Sequence, residues 1–295
     1  MQHQAFFVLL QCWVFMGWAE NLPERVVIQA QEGILQIQSG KETTVGSEWM
    51  VEQHGKEMIL MAREKSKKFS SKLVLKEKIL EIHARDLQLQ LQNWSGDLLY
   101  ESQKGKLLIQ KSNIQGKIFL QKGEILLNET SGKWTVESFL AKLTAKDHLG
   151  DLDLRNFGGE VVLDGVKGIQ NLVTLQGAIK SQKGSGEIWV DTLKGSVQLS
   201  QWSGRADVNN QEGNVYFQGA GESEFHGRSQ SGRWTVQVQP GSLVNVAMQD
   251  GELAVPPPLK IQKDGAAKYF RGRWAGAESK STVRLRAQEG VISLR

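Results

Sequence analysis

Cysteine is nearly absent from this chain of 295 residues, in which Cys12 is the single example. A chain with one thiol cannot form an internal disulfide and offers no cysteine cluster to a metal ion. Proline is also scarce, at five residues, and no apolar run long enough to cross a membrane follows residue 20. The net charge of +4 does not by itself indicate a nucleic-acid-binding protein. We therefore expect no thiol centre, no nucleic-acid partner and no stable transmembrane anchor.

The apolar run 5–19 at the start of the chain is too short to span a bilayer. Gly17 and Ala19 have the small side chains that precede a signal-peptidase cleavage site, and a polar segment follows at once. The first four residues contain neither Lys nor Arg, which is unusual for an export signal. We predict a signal peptide at 1–19 and export to the periplasm, the outer cell surface or the medium. A buried first strand, an uncleaved anchor and a lipid anchor on Cys12 are the alternatives.

Glycine recurs every nine residues through the middle of the chain. The uninterrupted run consists of Gly150, Gly159, Gly168, Gly177, Gly186, Gly195, Gly204 and Gly213. The same phase extends back to Gly96, Gly105, Gly123 and Gly132, with Ile114 and Ala141 in the two remaining places. Beyond Gly213 the phase slips by one residue before Gly232. A fixed period of this kind is typical of repeat proteins, in which each unit packs on the next.

Apolar residues occupy the third and fifth places of each unit, counted from its glycine as place one. The third places hold Leu98, Leu107, Ile125, Trp134, Leu143, Leu152, Val161, Ile179, Ile188, Val197 and Val215. The fifth places hold Tyr100, Ile109, Leu127, Val136, Leu154, Leu163, Leu172, Val190, Leu199, Val208 and Phe217. Alternation with a period of two predicts a strand with one buried face. Glycine at this frequency would destabilise a helix by about 1 kcal/mol per residue.

The eighth place of several units is apolar as well. The residues concerned are Phe139, Phe157, Val166, Leu175, Leu193 and Trp202. They predict that each turn between strands directs one more side chain into the core.

These patterns predict an all-β fold, a single-chain parallel β-solenoid (or β-helix) of nine-residue strands with glycine at the corners. Either two or three units could form one turn of the coil, and the slip after Gly213 favours two. The domain organisation is then a signal peptide at 1–19, N-terminal strands that form a cap at 20–95, repeats at 96–255, and a Pro-rich segment with closing strands at 256–295. In that last segment Val283 and Leu285 alternate with Arg284 and Arg286, which predicts a strand. We expect the chain to finish at Arg295 as the last layer of the coil.

Residue patterns for catalysis, cofactors or metal ions are missing. No P-loop, nucleophile elbow or zinc-protease motif occurs, and the later histidines lie far apart: His54, His83, His148 and His226. Calcium-binding β-rolls require an aspartate at a fixed place, where this chain has Leu154, Leu163, Leu172 and Val190. We predict a protein that is not an enzyme and holds no cofactor or metal ion. The acidic residues Asp151, Asp153 and Glu160 keep a polysaccharide lyase as an alternative.

Three aromatic residues mark a candidate binding face. Trp189 and Tyr216 fall at the fourth, outward place of their units, and Trp202 falls at a corner. Exposed aromatic rings can stack on sugars or on a partner protein. Because Trp189 and Tyr216 are three units apart, they share a face only if the coil has three sides. The alternative is that these rings cover neighbouring strands.

Several units have an acidic residue directly after the glycine and aliphatic residues at the following alternate places. They include Gly96-Asp97-Leu98, Gly150-Asp151-Leu152-Asp153-Leu154, Gly159-Glu160-Val161 and Gly186-Glu187-Ile188-Trp189-Val190, and the chain closes on Glu289-Gly290-Val291-Ile292-Ser293-Leu294. In these units the chain resembles the bacterial "putative adhesin" domain family of β-solenoids. The resemblance implies an exported, non-enzymatic envelope or surface protein and carries over no catalytic residue. Ile169 and Ala178 depart from the acidic second place.

The function that these features favour is a structural or adhesive role at the cell envelope or surface. The expected partner is an envelope polysaccharide or a surface protein. Two alternatives stay open, a carbohydrate-active β-helix enzyme such as a polysaccharide lyase and a self-assembling scaffold subunit that stacks end to end. The sequence leaves the oligomeric state undetermined.

Overall fold

The computed structural model describes residues 24–62, 69–257, 259–276 and 278–295. The signal peptide predicted at 1–19 lies outside the described residues. Twenty strands and no helix occur in the described part of the chain, which confirms the all-β prediction.

The strands vary in length from three residues to 28. The first ten are β1 Arg25–Ser39, β2 Trp49–His54, β3 Glu57–Ala62, β4 Phe69–Leu75, β5 Ile79–Gln92, β6 Ser95–Gln110, β7 Asn113–Asn128, β8 Ser131–Lys146, β9 Leu149–Gly158 and β10 Val161–Asp164. The others are β11 Lys167–Gln182, β12 Ser185–Glu212, β13 Val215–Ser231, β14 Arg233–Gln237, β15 Leu243–Met248, β16 Glu252–Ala254, β17 Gln262–Asp264, β18 Ala267–Arg273, β19 Thr282–Ala287 and β20 Val291–Leu294.

Parallel pairing at an offset of eighteen residues joins the strands from β5 to the start of β13. Ile79 pairs with Asp97, which pairs with Gln115, and the same offset joins β11 to β12. Eighteen residues are two nine-residue units, so each unit pairs with the second unit along and not with its neighbour. The register also includes β5, which begins at Ile79 within the segment 20–95.

The core includes the side chains predicted for it at the third and fifth places. Every residue of the third and fifth places named above is buried, with at most 3% of its surface exposed. Paired residues lie directly above one another, so these side chains form continuous columns through the interior. We use "column" for a set of residues joined by successive pairings. No single unit could bury its apolar face in this way, so stability depends on stacking.

The two turns within each eighteen-residue repeat differ in conformation. One of them contains a residue with left-handed backbone, at Asn93, Lys111, Glu129, Asp147, Gly165, Lys183 and Gln201. The N–H of such a residue donates to a carbonyl in the next repeat, as from Lys111 to Asn128 at 3.1 Å. Positive φ is unfavourable for most of these residue types, so the repeated hydrogen bond holds the conformation in place.

This difference corrects the prediction for the eighth places. The eighth-place residue that directly follows a left-handed residue is buried, as at His148, Val166 and Trp202. At the other turn the seventh-place residue is buried in most units, as at Asn156 and Thr174. The eighth-place residues Phe139 and Phe157 point outward there and are 52% and 43% exposed. The prediction that these two phenylalanines face the core is wrong.

Between Gly96 and Gly213, the seventh-place column at that second turn consists of polar side chains apart from Leu120. Asn156 and Asn210 are buried, and each amide donates to a backbone carbonyl, of Ala141 at 3.0 Å and of Gly195 at 3.1 Å. Thr174 and Thr192 hydrogen-bond to each other at 3.0 Å. The turn therefore satisfies carbonyl groups that would otherwise be buried without a partner.

Glycine is required where one repeat lies against the backbone of the next. Gly150 has φ 141°, and a Cβ added to it would lie 2.0 Å from the carbonyl oxygen of Gly132, eighteen residues earlier. Both the backbone conformation and the close approach exclude a side chain there.

Two tryptophans of the core each lie over a glycine one repeat away. A Cβ added to Gly116 would lie 2.0 Å from the ring of Trp134, and one added to Gly184 would lie 2.1 Å from the ring of Trp202. Each pair is eighteen residues apart, so the absence of one side chain makes room for the other.

Both ends of the described chain are inserted into the stack of strands. β1 pairs with β5 on one edge and with β3 and β4 on the other. β20 likewise lies between β14 and β16, and β19 between β13 and β15. Arg295 therefore does not end the last layer, contrary to prediction. Antiparallel strands cover the outer strands instead, with β2 on β3 and β18 on β15.

The Gly116–Trp134 contact supports a test of core packing. We expect Gly116→Ala to reduce the free energy of unfolding by about 1–3 kcal/mol, because the new methyl group has no room beside the indole. Adding Trp134→Leu should recover part of that loss, and the indole N–H of Trp134 has no hydrogen-bond partner among the described residues to lose. Urea unfolding of the two single variants and the double variant measures the coupling.

Gly272→Ala is the matched control, since its Cβ would meet its nearest neighbour, Phe270, at an ordinary 3.4 Å. Equal stability of Gly116→Ala and Gly272→Ala would contradict the packing described here.

Candidate functional site

The two outward aromatic residues predicted from the sequence lie apart. Trp189 on β12 is half-buried and pairs with Asn171. Tyr216 on β13 is also half-buried, and it pairs with Gln198 and Thr235. Because pairing joins every second unit and these residues are three units apart, the two rings belong to different columns. The structure does not bring them together.

Trp202 is completely buried and its ring lies over Gly184. Its indole N–H donates to the carbonyl of Arg205 at 3.3 Å. The ring is therefore part of the core and is not available for stacking on a ligand, which corrects its place among the candidate binding residues.

A shallow groove of about 680 Å³ crosses the strands beside Trp189. Its polar and aromatic lining consists of Asn171, Trp189, Asp191, Arg205, Asp207, Asn209, His226, Arg228, Asn245, Arg284 and Arg286. We call this surface the arginine groove. Four arginines and two aspartates line it, so its charge is predominantly positive.

The insertion of β19 between β13 and β15 produces the arginine groove. Arg284 pairs with His226 on one side and with Asn245 on the other. Arg286 pairs with Arg228, so two guanidinium side chains lie on neighbouring strands. On its other edge β15 pairs with β18, where Arg271 lies opposite Asn245. Arg271 therefore continues the row formed by His226, Arg284 and Asn245.

The acidic groups of the arginine groove already have partners. Asp207 accepts a hydrogen bond from Arg205 at 2.6 Å and lies 3.1 Å from Nδ1 of His226. Asp191 accepts one from the amide of Asn209 at 3.1 Å. Nε2 of His226 also lies 2.9 Å from Glu224, although it is not aligned for a hydrogen bond.

The basic groups, in contrast, are free apart from Arg205. Arg228, Arg271, Arg284 and Arg286 are exposed, and none of them forms an ion pair or a side-chain hydrogen bond with a residue in the described ranges. Like charges on neighbouring strands repel one another, so the cluster is unfavourable until an anion binds. Guanidinium groups bind carboxylate, sulfate and phosphate through paired hydrogen bonds.

Sequence reasoning missed this cluster. The alternation around Arg284 and Arg286 predicted a strand, but Arg286 is far along the chain from Arg228, its partner. No periodicity connects the two, because β19 lies outside the eighteen-residue register.

A second groove, of about 870 Å³, runs along the turn where the eighth place points outward. Phe119, Phe139, Phe157 and Val173 line it and are each at least 36% exposed. The rings of Phe139 and Phe157 stack with centroids 4.6 Å apart. This phenylalanine groove is apolar over its middle and charged at one end, where His83 and Glu101 line it.

One end of the phenylalanine groove holds a charged network around His83. The ring lies 2.6 Å from Glu81 through Nε2 and 2.8 Å from Glu101 through Nδ1, and Glu81 also pairs with Arg25 of β1. Burial acts to lower the pKa of His83, but the hydrogen bonds with Glu81 and Glu101 outweigh it and raise the pKa above its ordinary value. Protonated His83 therefore links β1, β5 and β6.

The carboxylates that could serve a lyase are not brought together. Asp151 and Asp153 lie on β9, and Asp153 accepts a hydrogen bond from Asn171 at 3.4 Å. Glu160 lies instead between two lysines, and hydrogen bonds from Lys180 and Lys142 lower its pKa to about 2. A carboxylate held in its ionised form in this way is a poor proton donor.

Two further observations concern other kinds of site. Over the described ranges, no group of three or more His, Cys, Asp or Glu side chains is placed to hold a metal ion. The same ranges contain no helix long and apolar enough to span a membrane.

No family model matches the chain, and no curated protein matches it. The "putative adhesin" resemblance therefore has no support from a family model. A solved structure, described as a "putative cell adhesion protein" from Clostridium sporogenes ATCC 15579, is 11% identical over 92% of each chain. Its TM-score of 0.17 is too low to support an argument about this protein.

The His83 network predicts a pH-dependent contribution to stability. Since the folded protein raises the pKa of His83, its stabilising effect should be complete below the ordinary value of 6.5 and should disappear as the pH rises through the folded value. We expect His83→Gln to lower the free energy of unfolding by up to about 1 kcal/mol at pH 5.5, because the side chain is 37% exposed. At pH 8.5 the difference should be near zero.

Urea unfolding at the two pH values measures this effect. His54→Gln is the control, because His54 on β2 is more exposed and lies 3.4 Å from Glu52; its difference between the two pH values should be smaller than that of His83→Gln. A loss in His83→Gln that is larger at pH 8.5 than at pH 5.5 would reverse the expected sign.

Proposed function

We propose that this protein is an exported, non-enzymatic binding protein of the bacterial envelope or cell surface. Its architecture would be a flattened parallel β-solenoid with two nine-residue strands in each turn. The constant offset of eighteen residues supports two strands per turn, as does the left-handed residue that occurs once in each eighteen. The continuous columns of buried side chains are what such a coil requires.

The arginine groove is the observation that carries the binding role. It combines exposed arginines with a half-buried aromatic ring, Trp189, on strands held by backbone pairing on both edges. Such strands are rigid, so a ligand would lose little binding energy to ordering the protein. Asp191 and Asp207 are hydrogen-bonded to neighbouring side chains, which favours binding over acid–base catalysis.

Export follows from the signal peptide predicted at 1–19. We expect the full chain, expressed in a bacterium, to lose this segment after Ala19 and to be found outside the cytoplasm. A cytoplasmic protein that keeps residues 1–19 would rule out export.

End-to-end assembly is less favoured than binding. An unpaired edge strand promotes addition of a second chain, whereas β3 and β15 each have an antiparallel strand on the outer edge. These covering strands differ in direction from the parallel strands of the repeat, so two copies would not continue the same register.

The test of the binding role compares two aromatic variants. Purified protein is mixed with an isolated bacterial envelope fraction, and the bound share is measured after sedimentation. We expect Trp189→Ala to weaken binding by about threefold or more through loss of ring contact. Tyr216→Ala, in a different column, is the matched control and should change binding by less than about twofold.

Thermal unfolding of both variants confirms that they fold. Absence of binding by the wild-type protein would contradict the proposed role, and equal binding by all three proteins would exclude Trp189 from the binding surface.

A further inference from the structure

The free cations of the arginine groove form a regular array on neighbouring strands. Arg228 and Arg286 are paired across two strands, Arg284 lies two residues from Arg286, and Arg271 lies one further strand away from Asn245. Neighbouring strands are about 4.8 Å apart, and alternate residues of one strand are about 7 Å apart. Several anionic groups at similar spacing are therefore needed to neutralise the array.

The cluster is not neutralised from within the protein. The groove's own carboxylates belong to Asp191 and Asp207, and these are bound by Asn209 and by Arg205 and His226. Repulsion among the remaining arginines opposes folding, since like charges on adjacent strands destabilise a sheet. A ligand with repeated negative charges would remove that repulsion and gain paired hydrogen bonds to each guanidinium group.

The rest of the groove favours a sugar chain as the carrier of those charges. Trp189 stands at the opposite end from Arg271, and its half-buried ring offers a face on which a pyranose ring can stack. The amides of Asn209 and Asn245 line the space between, and that of Asn171 lies one strand beyond Trp189. Amide groups both donate to and accept from hydroxyl groups, which lipid tails and phosphodiester backbones lack.

The length of the surface also suits an extended polymer. From Trp189 to Asn245 the groove crosses four strand spacings, or about 19 Å, and Arg271 lies one spacing beyond. A single small anion would fill only a part of it.

We propose that the arginine groove binds an acidic polysaccharide, with its carboxylate or sulfate groups on Arg228, Arg284, Arg286 and Arg271 and a sugar ring on Trp189. This inference rests on the proposed binding role and specifies its ligand class.

The test uses the purified full chain with polygalacturonate as the anionic polymer and dextran as the neutral one. We expect binding of polygalacturonate that weakens as salt is added, and little binding of dextran. The double variant Arg284→Gln/Arg286→Gln should weaken binding by about tenfold or more, since each charge-assisted contact contributes strongly. Trp189→Ala should weaken binding by about threefold.

Lys117→Gln/Lys133→Gln is the matched control. Lys117 on β7 and Lys133 on β8 are exposed and lie several repeats from the groove. The variant therefore removes two positive charges, as the arginine double variant does, but from outside the groove. It should change binding by less than about twofold. Thermal unfolding of each variant checks that the fold is retained.

Three outcomes would overturn the inference. One is equal binding by the wild type and the arginine double variant, and another is equal binding of dextran and polygalacturonate. The third is stronger binding to anionic phospholipid vesicles or to single-stranded DNA than to the polysaccharide. If envelope binding persists in any of these cases, the ligand class fails while the proposed function stands. If envelope binding is absent as well, both fail.

Discussion

Parallel backbone pairing at an offset of eighteen residues holds together the strands from β5 to the start of β13. At that spacing the carbonyl oxygen of Gly132 occupies the position that a Cβ on Gly150 would need. The same interval stacks each buried side chain on its counterpart in the next repeat, so a large ring such as Trp134 requires an empty place, at Gly116, one repeat earlier. An inserted residue therefore requires a local irregularity in the strand pairing. Such an irregularity occurs near Trp202, where the offset changes from eighteen to nineteen.

The insertion of the first and last strands among the others determines which side chains lie next to one another on the surface. β1 and the pair β19–β20 lie inside the stack, and antiparallel strands take the outer positions. The antiparallel strands cover the outer edges of β3 and β15, which could otherwise pair with another chain. At the C-terminal end the insertion of β19 places Arg284 and Arg286 beside His226 and Arg228. The arginine groove is thus a product of this insertion.

Local periodicity made the strands and the core predictable. Alternating apolar residues and recurring glycines depend only on near neighbours, so the buried third and fifth places could be assigned from the sequence. The turns were harder to predict, because both have the same glycine phase although only one contains a left-handed residue such as Lys111. Phe139 and Phe157 were therefore assigned to the core, whereas they line the phenylalanine groove.

The candidate site was the least predictable part. Trp189 could be recognised as outward because it occupies a fourth place. Trp202, at an eighth place, was assigned both to the core and to the binding face, and it lies in the core. The arginines of the groove come from segments that are distant in sequence, and the pairing of Arg228 with Arg286 follows from tertiary insertion and not from any repeat. Single-sequence patterns do not encode such contacts.

Chemical cross-linking of cysteine pairs tests the eighteen-residue register most directly. In a Cys12→Ser background, one protein carries Lys106→Cys with Glu124→Cys, and the other carries Lys106→Cys with Lys133→Cys. Lys106 and Glu124 are paired residues whose charged groups lie 3.0 Å apart, whereas Lys106 and Lys133 are three units apart and lie in different columns. A short thiol-reactive cross-linker should join the first pair within one molecule and leave the second unjoined. Cross-linking of 106 to 133 but not to 124 would contradict the eighteen-residue register.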